Sequence, residues 1–120
     1  MRTLILGALP TTKEQEQWYK ALCALFEDAK SPLDTVQFTG TDAQRYTHAQ
    51  SAIRNAQRII ADASYPSTGM GMELGWCSLW NKEVVVIAKK ASTVSGLIKG
   101  CPCVKKIIYY ETIQDIAKAL

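Results

Sequence analysis

No stretch of this chain approaches the run of about 20 apolar residues that a membrane-spanning helix needs. Met1-Arg2-Thr3 leads straight into an apolar strand, without the basic, apolar and small-residue zones of a secretory signal. An excess of one charge is also missing. Fourteen Lys and Arg against 11 Asp and Glu leave a net charge of +3, with the basic residues scattered. That balance gives no argument for a nucleic-acid surface, and it suits small anionic ligands as well as anything. The four cysteines, Cys23, Cys77, Cys101 and Cys103, contain no Cys-x-x-Cys pair, and the one histidine, His48, is far from them in sequence. Neither a standard zinc site nor a Cys-x-x-Cys redox centre is expected, so no metal or cofactor is assigned, and a reducing cytoplasm is the expected compartment. Linkers, repeats and low-complexity tracts are missing too. The 120 residues therefore read as one domain, 1–120, long enough to form a core without disulfides or metals.

What is present is an alternation of strands and helices. Arg2 to Ala8 is a continuous apolar run, the pattern of a strand buried on both faces. Thr11 or Thr12 can cap a helix from Lys13 to Lys30, in which Trp18, Leu22, Leu25 and Phe26 recur at helical spacing. Ser31-Pro32 is expected to end it, and Val36 and Phe38 alternate in a short strand from Asp34 to Phe38. A polar, amphipathic helix follows over about Asp42 to Gln57, then a strand at Arg58 to Ala61 and a helix from about Gly69 to Asn81. Glu83 to Ala88 reads as a buried strand, Ser92 to Lys99 as a short helix or turn, Ile107 to Tyr110 as the last strand and Thr112 to Leu120 as the last helix. This order predicts an α/β fold: a flavodoxin-like, Rossmann-like parallel sheet of five strands in the order 2-1-3-4-5, with helices on both faces. The ligand crevice then lies between strands one and three.

The segment Asp62 to Gly75 lies at the carboxyl end of the third strand and runs into an apolar helix. Gly69 and Gly71 permit close backbone approach, and the helix start offers unpaired N–H groups to an anion. Ser67, Thr68, Gly69 and Gly71 can thus hold a phosphate, or simply form a turn and a cap. The Lys of a Walker A loop is missing, and a Gly-x-Gly after the third strand is no dinucleotide fingerprint. Glu73 is expected in the first helical turn, where the macrodipole would keep it ionised, either as a plain dipole partner or as a nucleophile toward a sugar anomeric carbon. Asp62 is the second candidate carboxylate, bonding sugar hydroxyls or capping the turn. Tyr46, His48 and Tyr65 are candidates to line the crevice or meet a base, although residues of these types more often pack or lie on the surface.

Pro66-Ser67-Thr68-Gly69-Met70-Gly71-Met72-Glu73-Leu74-Gly75 resembles the Pro-Ser-x-Gly-x-Gly-x-Glu-Leu-Gly pattern of the nucleoside 2-deoxyribosyltransferase superfamily, within it the 2'-deoxynucleoside 5'-phosphate N-hydrolases. Asn55 to Asp62, Asn81 to Val86 and Val94 to Gly100 are similar to further segments of that group, so the likeness covers roughly residues 52 to 120 well and the first half in outline. The resemblance implies cleavage of the N-glycosidic bond of a nucleotide, or transfer of its deoxyribose. It gives Glu73 the nucleophile's place, Ser67 that of the 5'-phosphate serine, and Gly7 that of the glycine at the phosphate end of the first strand. Ser95 matches a serine that reaches the phosphate from a neighbouring subunit, which implies a homodimer with shared sites. The sequence also departs from the pattern: the family's tyrosine falls near Leu4, its arginine near Pro10 and its helix aspartate near Ala49. A nucleotide N-glycosidase or deoxyribosyltransferase is the leading expectation, and a non-catalytic nucleotide sensor on the same fold is the alternative.

Overall fold

The computed structural model describes residues 1–120. The chain runs β1 (Arg2–Gly7), α1 (Lys13–Cys23), β2 (Asp28–Lys30), α2 (Pro32–Gln37), α3 (Asp42–Asn55), β3 (Arg58–Asp62), α4 (Thr68–Leu79), β4 (Val84–Lys89), α5 (Gly96–Lys99), β5 (Val104–Tyr110) and α6 (Ile113–Ala119). The strands form one parallel sheet in the order β2-β1-β3-β4-β5, the order the sequence predicts. No helix is long and apolar enough to cross a membrane.

Apolar residues alternate between the two faces because successive strand side chains point opposite ways. Leu4, Leu6, Ile59, Ala61, Val84 and Val86 pack against Ile53 of α3 and Met70, Leu74 and Cys77 of α4. Ile5, Ile60, Ile87 and Ile108 pack on the other side against Tyr19 and Leu22 of α1 and Ile116 of α6. Ile60 is wholly buried at the centre of the sheet, where truncation to alanine costs about 2–5 kcal/mol. Helix starts follow local chemistry: the hydroxyls of Thr12, Thr41 and Ser67 accept from Gln15 N, Gln44 N and Met70 N.

The region from Ala24 to Phe38 differs from expectation. α1 stops at Cys23, where Leu25 N and Phe26 N donate to Leu22 O and Cys23 O in tight turns. The second strand is Asp28–Lys30, paired to β1 from Arg2↔Asp28 to Leu4↔Lys30, and residues 34–38 do not form a strand. Ser31 and Asp34 form a reciprocal capping box with Pro32 in the first turn, so Ser31-Pro32 starts a helix here and stops none. Val36 then points outward, 58% exposed. The three-residue strand β2 carries charges at Asp28 and Lys30, which suits a sheet edge.

Candidate active site

β1 connects to β2 on one side of the sheet and lies beside β3 on the other, so the crevice opens at the carboxyl ends of β1 and β3, where Gly7 pairs with Asp62. The glycine at position 7 has a packing cause. A Cβ there would lie 2.5 Å from the Tyr19 hydroxyl, which donates to Ala8 O at 2.6 Å and ties α1 to the end of β1. Gly7 therefore borders the crevice through its backbone.

Beyond β3 the loop from Ala63 leads to Ser67, which caps α4: its Oγ accepts from Met70 N at 3.2 Å and its carbonyl from Gly71 N at 3.1 Å. The Gly71 N–H is thus spent inside the helix. Those of Thr68 and Gly69 have no partner in the chain and remain available to an anion. Nothing lies within 4 Å of a Cβ built on Gly69 or Gly71, so this flank of the helix start is open to close approach.

Glu73 lies in the second turn of α4, not the first, because the helix begins at Thr68. The macrodipole acts mainly over the first turn, and burial acts the other way. Met70 and Cys77, three residues before and four after, lie in the core, so helical geometry sets Glu73 on the flank of the buried stripe. Its carboxyl is half-buried without a hydrogen bond or ion pair, and burial pushes it up from 4.5 to about 7. Trp76, one turn further on the same flank, meets Tyr46 of α3 edge-on with ring centroids 4.9 Å apart. Tyr46 therefore belongs to the α3–α4 seam beside which Glu73 stands. A partly exposed carboxyl group with no partner, ionising near neutrality, can act as a nucleophile or exchange a proton.

Asp62 lies apart from Glu73. Its carboxylate is 5% exposed and faces the α1/α6 layer, whereas α4 covers the opposite face. Oδ2 accepts from Trp18 Nε1 at 2.9 Å and Tyr110 OH at 3.0 Å, and Oδ1 from the N–H and hydroxyl of Ser64 at 3.0 and 2.6 Å. Trp18 stacks on Tyr110 with centroids 4.9 Å apart, and burial together with the Asp62 charge raises the Tyr110 pKa. The turn cap expected of Asp62 is present through Ser64, but the larger part of its work is to pin α1 and β5 to the end of β3. Trp18, Ser64 and Tyr110 were not foreseen, since they come from three separate elements with no shared spacing.

The other candidates disperse. His48 stacks on Phe38 at 4.9 Å, in a recess of about 590 Å³ with Thr39, Ala43, Gln44 and Thr47. Tyr65 accepts a 2.7 Å hydrogen bond from Lys89 Nζ, which also lies 5.0 Å from its ring. Ser95 is exposed and caps α5 by accepting from Leu97 N at 3.3 Å. Between α4 and α5 lies an open groove of about 640 Å³, lined by Met72, Gly75, Trp76, Leu79, Leu97 and Cys101 among others. Leu74 and Cys77 of α4 are buried in the chain's own core.

No family model matches the chain, and no curated protein matches it by sequence. Solved structures do match its fold. The CMP N-glycosidase BcmB of Clostridium botulinum superposes with a TM-score of 0.76 at 20% identity, over 99% of this chain and 97% of that one. A 2-deoxyribosyltransferase of Bacillus psychrosaccharolyticus gives 0.72 at 16% identity, over 98% and 90%. A conserved protein of Enterococcus faecalis V583 gives 0.67 at 11% identity, over 98% and 95%. The fold of this chain is the fold these structures share.

Proposed function

We propose that the protein cleaves the N-glycosidic bond of a nucleoside 5'-monophosphate, or transfers the sugar to a second base, with Glu73 as nucleophile. The observation that carries this reading is the partnerless, half-buried Glu73 carboxyl on the helix that begins at the crevice. The likeness in fold to an N-glycosidase and a deoxyribosyltransferase supports the same class of reaction. The 5'-phosphate lies against Ser67 and the free N–H groups of Thr68 and Gly69, which places the sugar along α4. The ionised Glu73 attacks C1', the C–N bond breaks, and its electron pair leaves with the base, which takes up a proton. Water, or the nitrogen of a second base, then attacks C1' and frees the carboxylate. Asp62 acts as a positioning residue, holding β3, α1 and β5 in place through its four hydrogen bonds.

The active form in this reading is a homodimer. Leu97 is 89% exposed and Leu79 78% exposed beside Met72 on the groove between α4 and α5. A second copy seated there buries these side chains and brings its Ser95 toward the phosphate.

A second reading, a nucleotide sensor without turnover, draws on two observations. The resemblance puts the family's helix aspartate near Ala49, which carries no acid, and Asp62 is engaged by Trp18, Ser64 and Tyr110. Incubation with a panel of ribo- and deoxyribonucleoside monophosphates, with chromatography for released base, separates the two. Free base supports the enzyme, and thermal stabilisation without base release supports the sensor.

A further inference from the structure

Cys101 and Cys103 flank Pro102 in the turn that leads into β5, and their Sγ atoms lie 3.3 Å apart. Both are free thiols and both are partly exposed. The backbone around them is fixed at every point. Cys101 N donates to Ile98 O at 3.2 Å, Val104 N to Cys101 O at 3.0 Å and Val84 N to Cys103 O at 2.9 Å, while the Pro102 ring locks its own φ. The two sulfurs are thus already in contact, against a bonding distance of about 2.05 Å. Their surroundings differ. Cys101 lines the open groove with Gly75 and Trp76, whereas Cys103 Sγ lies 3.7 Å from the Leu74 carbonyl of α4, and burial pushes its thiol up to about 12.

We propose that Cys101 and Cys103 form a reversible dithiol–disulfide couple that reacts with small disulfides such as oxidised glutathione. The groove-facing Cys101 thiolate attacks one sulfur of the small disulfide and expels the other as a thiolate. The neighbouring Cys103 loses its proton and attacks the Cys101 sulfur, expelling the second small thiol. Two protein thiols are oxidised, and one small disulfide is reduced to two thiols. A disulfide closing so short a loop constrains the unfolded chain little, so the pair is built for exchange and not for stability, as expected of an exposed, reducible bond. Cys103 Sγ lies against the carbonyl of Leu74, the residue after Glu73, so the pair adjoins the helix of the candidate site. The chemistry stands whether or not the protein turns over nucleotides, and it takes place when the groove between α4 and α5 is free of the second copy proposed above.

The test uses the full chain, first reduced, then equilibrated with oxidised and reduced glutathione over a range of ratios, quenched with an alkylating agent and weighed intact. The expected result is a species lacking two hydrogens that takes up two fewer alkyl groups, with peptide mapping placing the bond between Cys101 and Cys103. Cys103→Ser should stop at a glutathione adduct on Cys101, and Cys101→Ser should stay largely unmodified at Cys103. Both variants lie in a partly buried turn, and far-UV circular dichroism checks that they fold. Four alkylated cysteines at every ratio would overturn the proposal, as would a bond that involves Cys23 or Cys77.

Discussion

Replacing Glu73 with glutamine removes the one carboxyl of α4 that burial disfavours in its charged form, and the consequence for stability has a definite sign. The group ionises near 4.5 when free and near 7 in the folded chain. Below pH 4.5 it is protonated in both states and costs nothing. Between 4.5 and 7 the unfolded chain releases the proton while the folded chain keeps it, so stability falls as pH rises. Above 7 the loss is complete and constant. At about 1.4 kcal/mol per unit the displacement sets an upper limit of about 3.5 kcal/mol, and the water that still reaches the carboxyl reduces the expected loss to about 1–2 kcal/mol. Urea unfolding of the wild type and Glu73→Gln at matched pH values from 4 to 8.5 reads this directly. The wild type should match the variant at the acid end, fall below it through the window and run parallel above pH 7. Curves that stay parallel throughout, or a wild type that gains on the variant with rising pH, would refute the reasoning and restore the dipole-stabilised carboxylate that the sequence suggests.

Gly7→Ala should destabilise the fold by about 1–3 kcal/mol through overpacking against the Tyr19 hydroxyl, and Tyr19→Phe in the same chain should recover part of the loss in thermal melts. Ser67→Ala should cost about 0.5–2 kcal/mol of stability through the lost helix cap. It should also weaken calorimetric binding of a nucleoside monophosphate by about 0.5–3 kcal/mol while sparing the matching nucleoside. Equal losses on both ligands would mean that Ser67 shapes the loop alone. Light scattering at micromolar concentration should give a dimer for the wild type and a monomer for Leu97→Glu, since Leu97 makes little contact within its own chain; a wild-type monomer would rule out the shared site.

The sheet order was legible because Arg2–Gly7, Arg58–Asp62 and Val84–Lys89 are short apolar runs separated by capped helices, a pattern that admits few right-handed parallel topologies. The edge strand was not legible. Asp28–Lys30 has one apolar residue in three, and Ser31-Pro32 marks a helix start as well as it marks a stop. At the site, Ser67 and the adjoining loop stood out by residue type and position. The setting of Glu73 was partly readable from its spacing to Met70 and Cys77, but reasoning from the helix start alone put it one turn too early. The Asp62 cluster depends on Trp18 and Tyr110 arriving from α1 and β5, and only the folded sheet brings them together. For the same reason the contact between the Cys101 and Cys103 sulfurs does not follow from their spacing, which fixes nothing about side-chain direction.

The central claim is that Glu73 forms and breaks a bond to the sugar. Its most direct test is the rate of free-base release from the nucleoside monophosphate that the wild type turns over best, measured for the wild type and for Glu73→Gln side by side. Release by the wild type should rise with pH through about 7 as Glu73 ionises, and a variant that still folds should lose several powers of ten. Wild-type rates from the glutamine variant would contradict the claim.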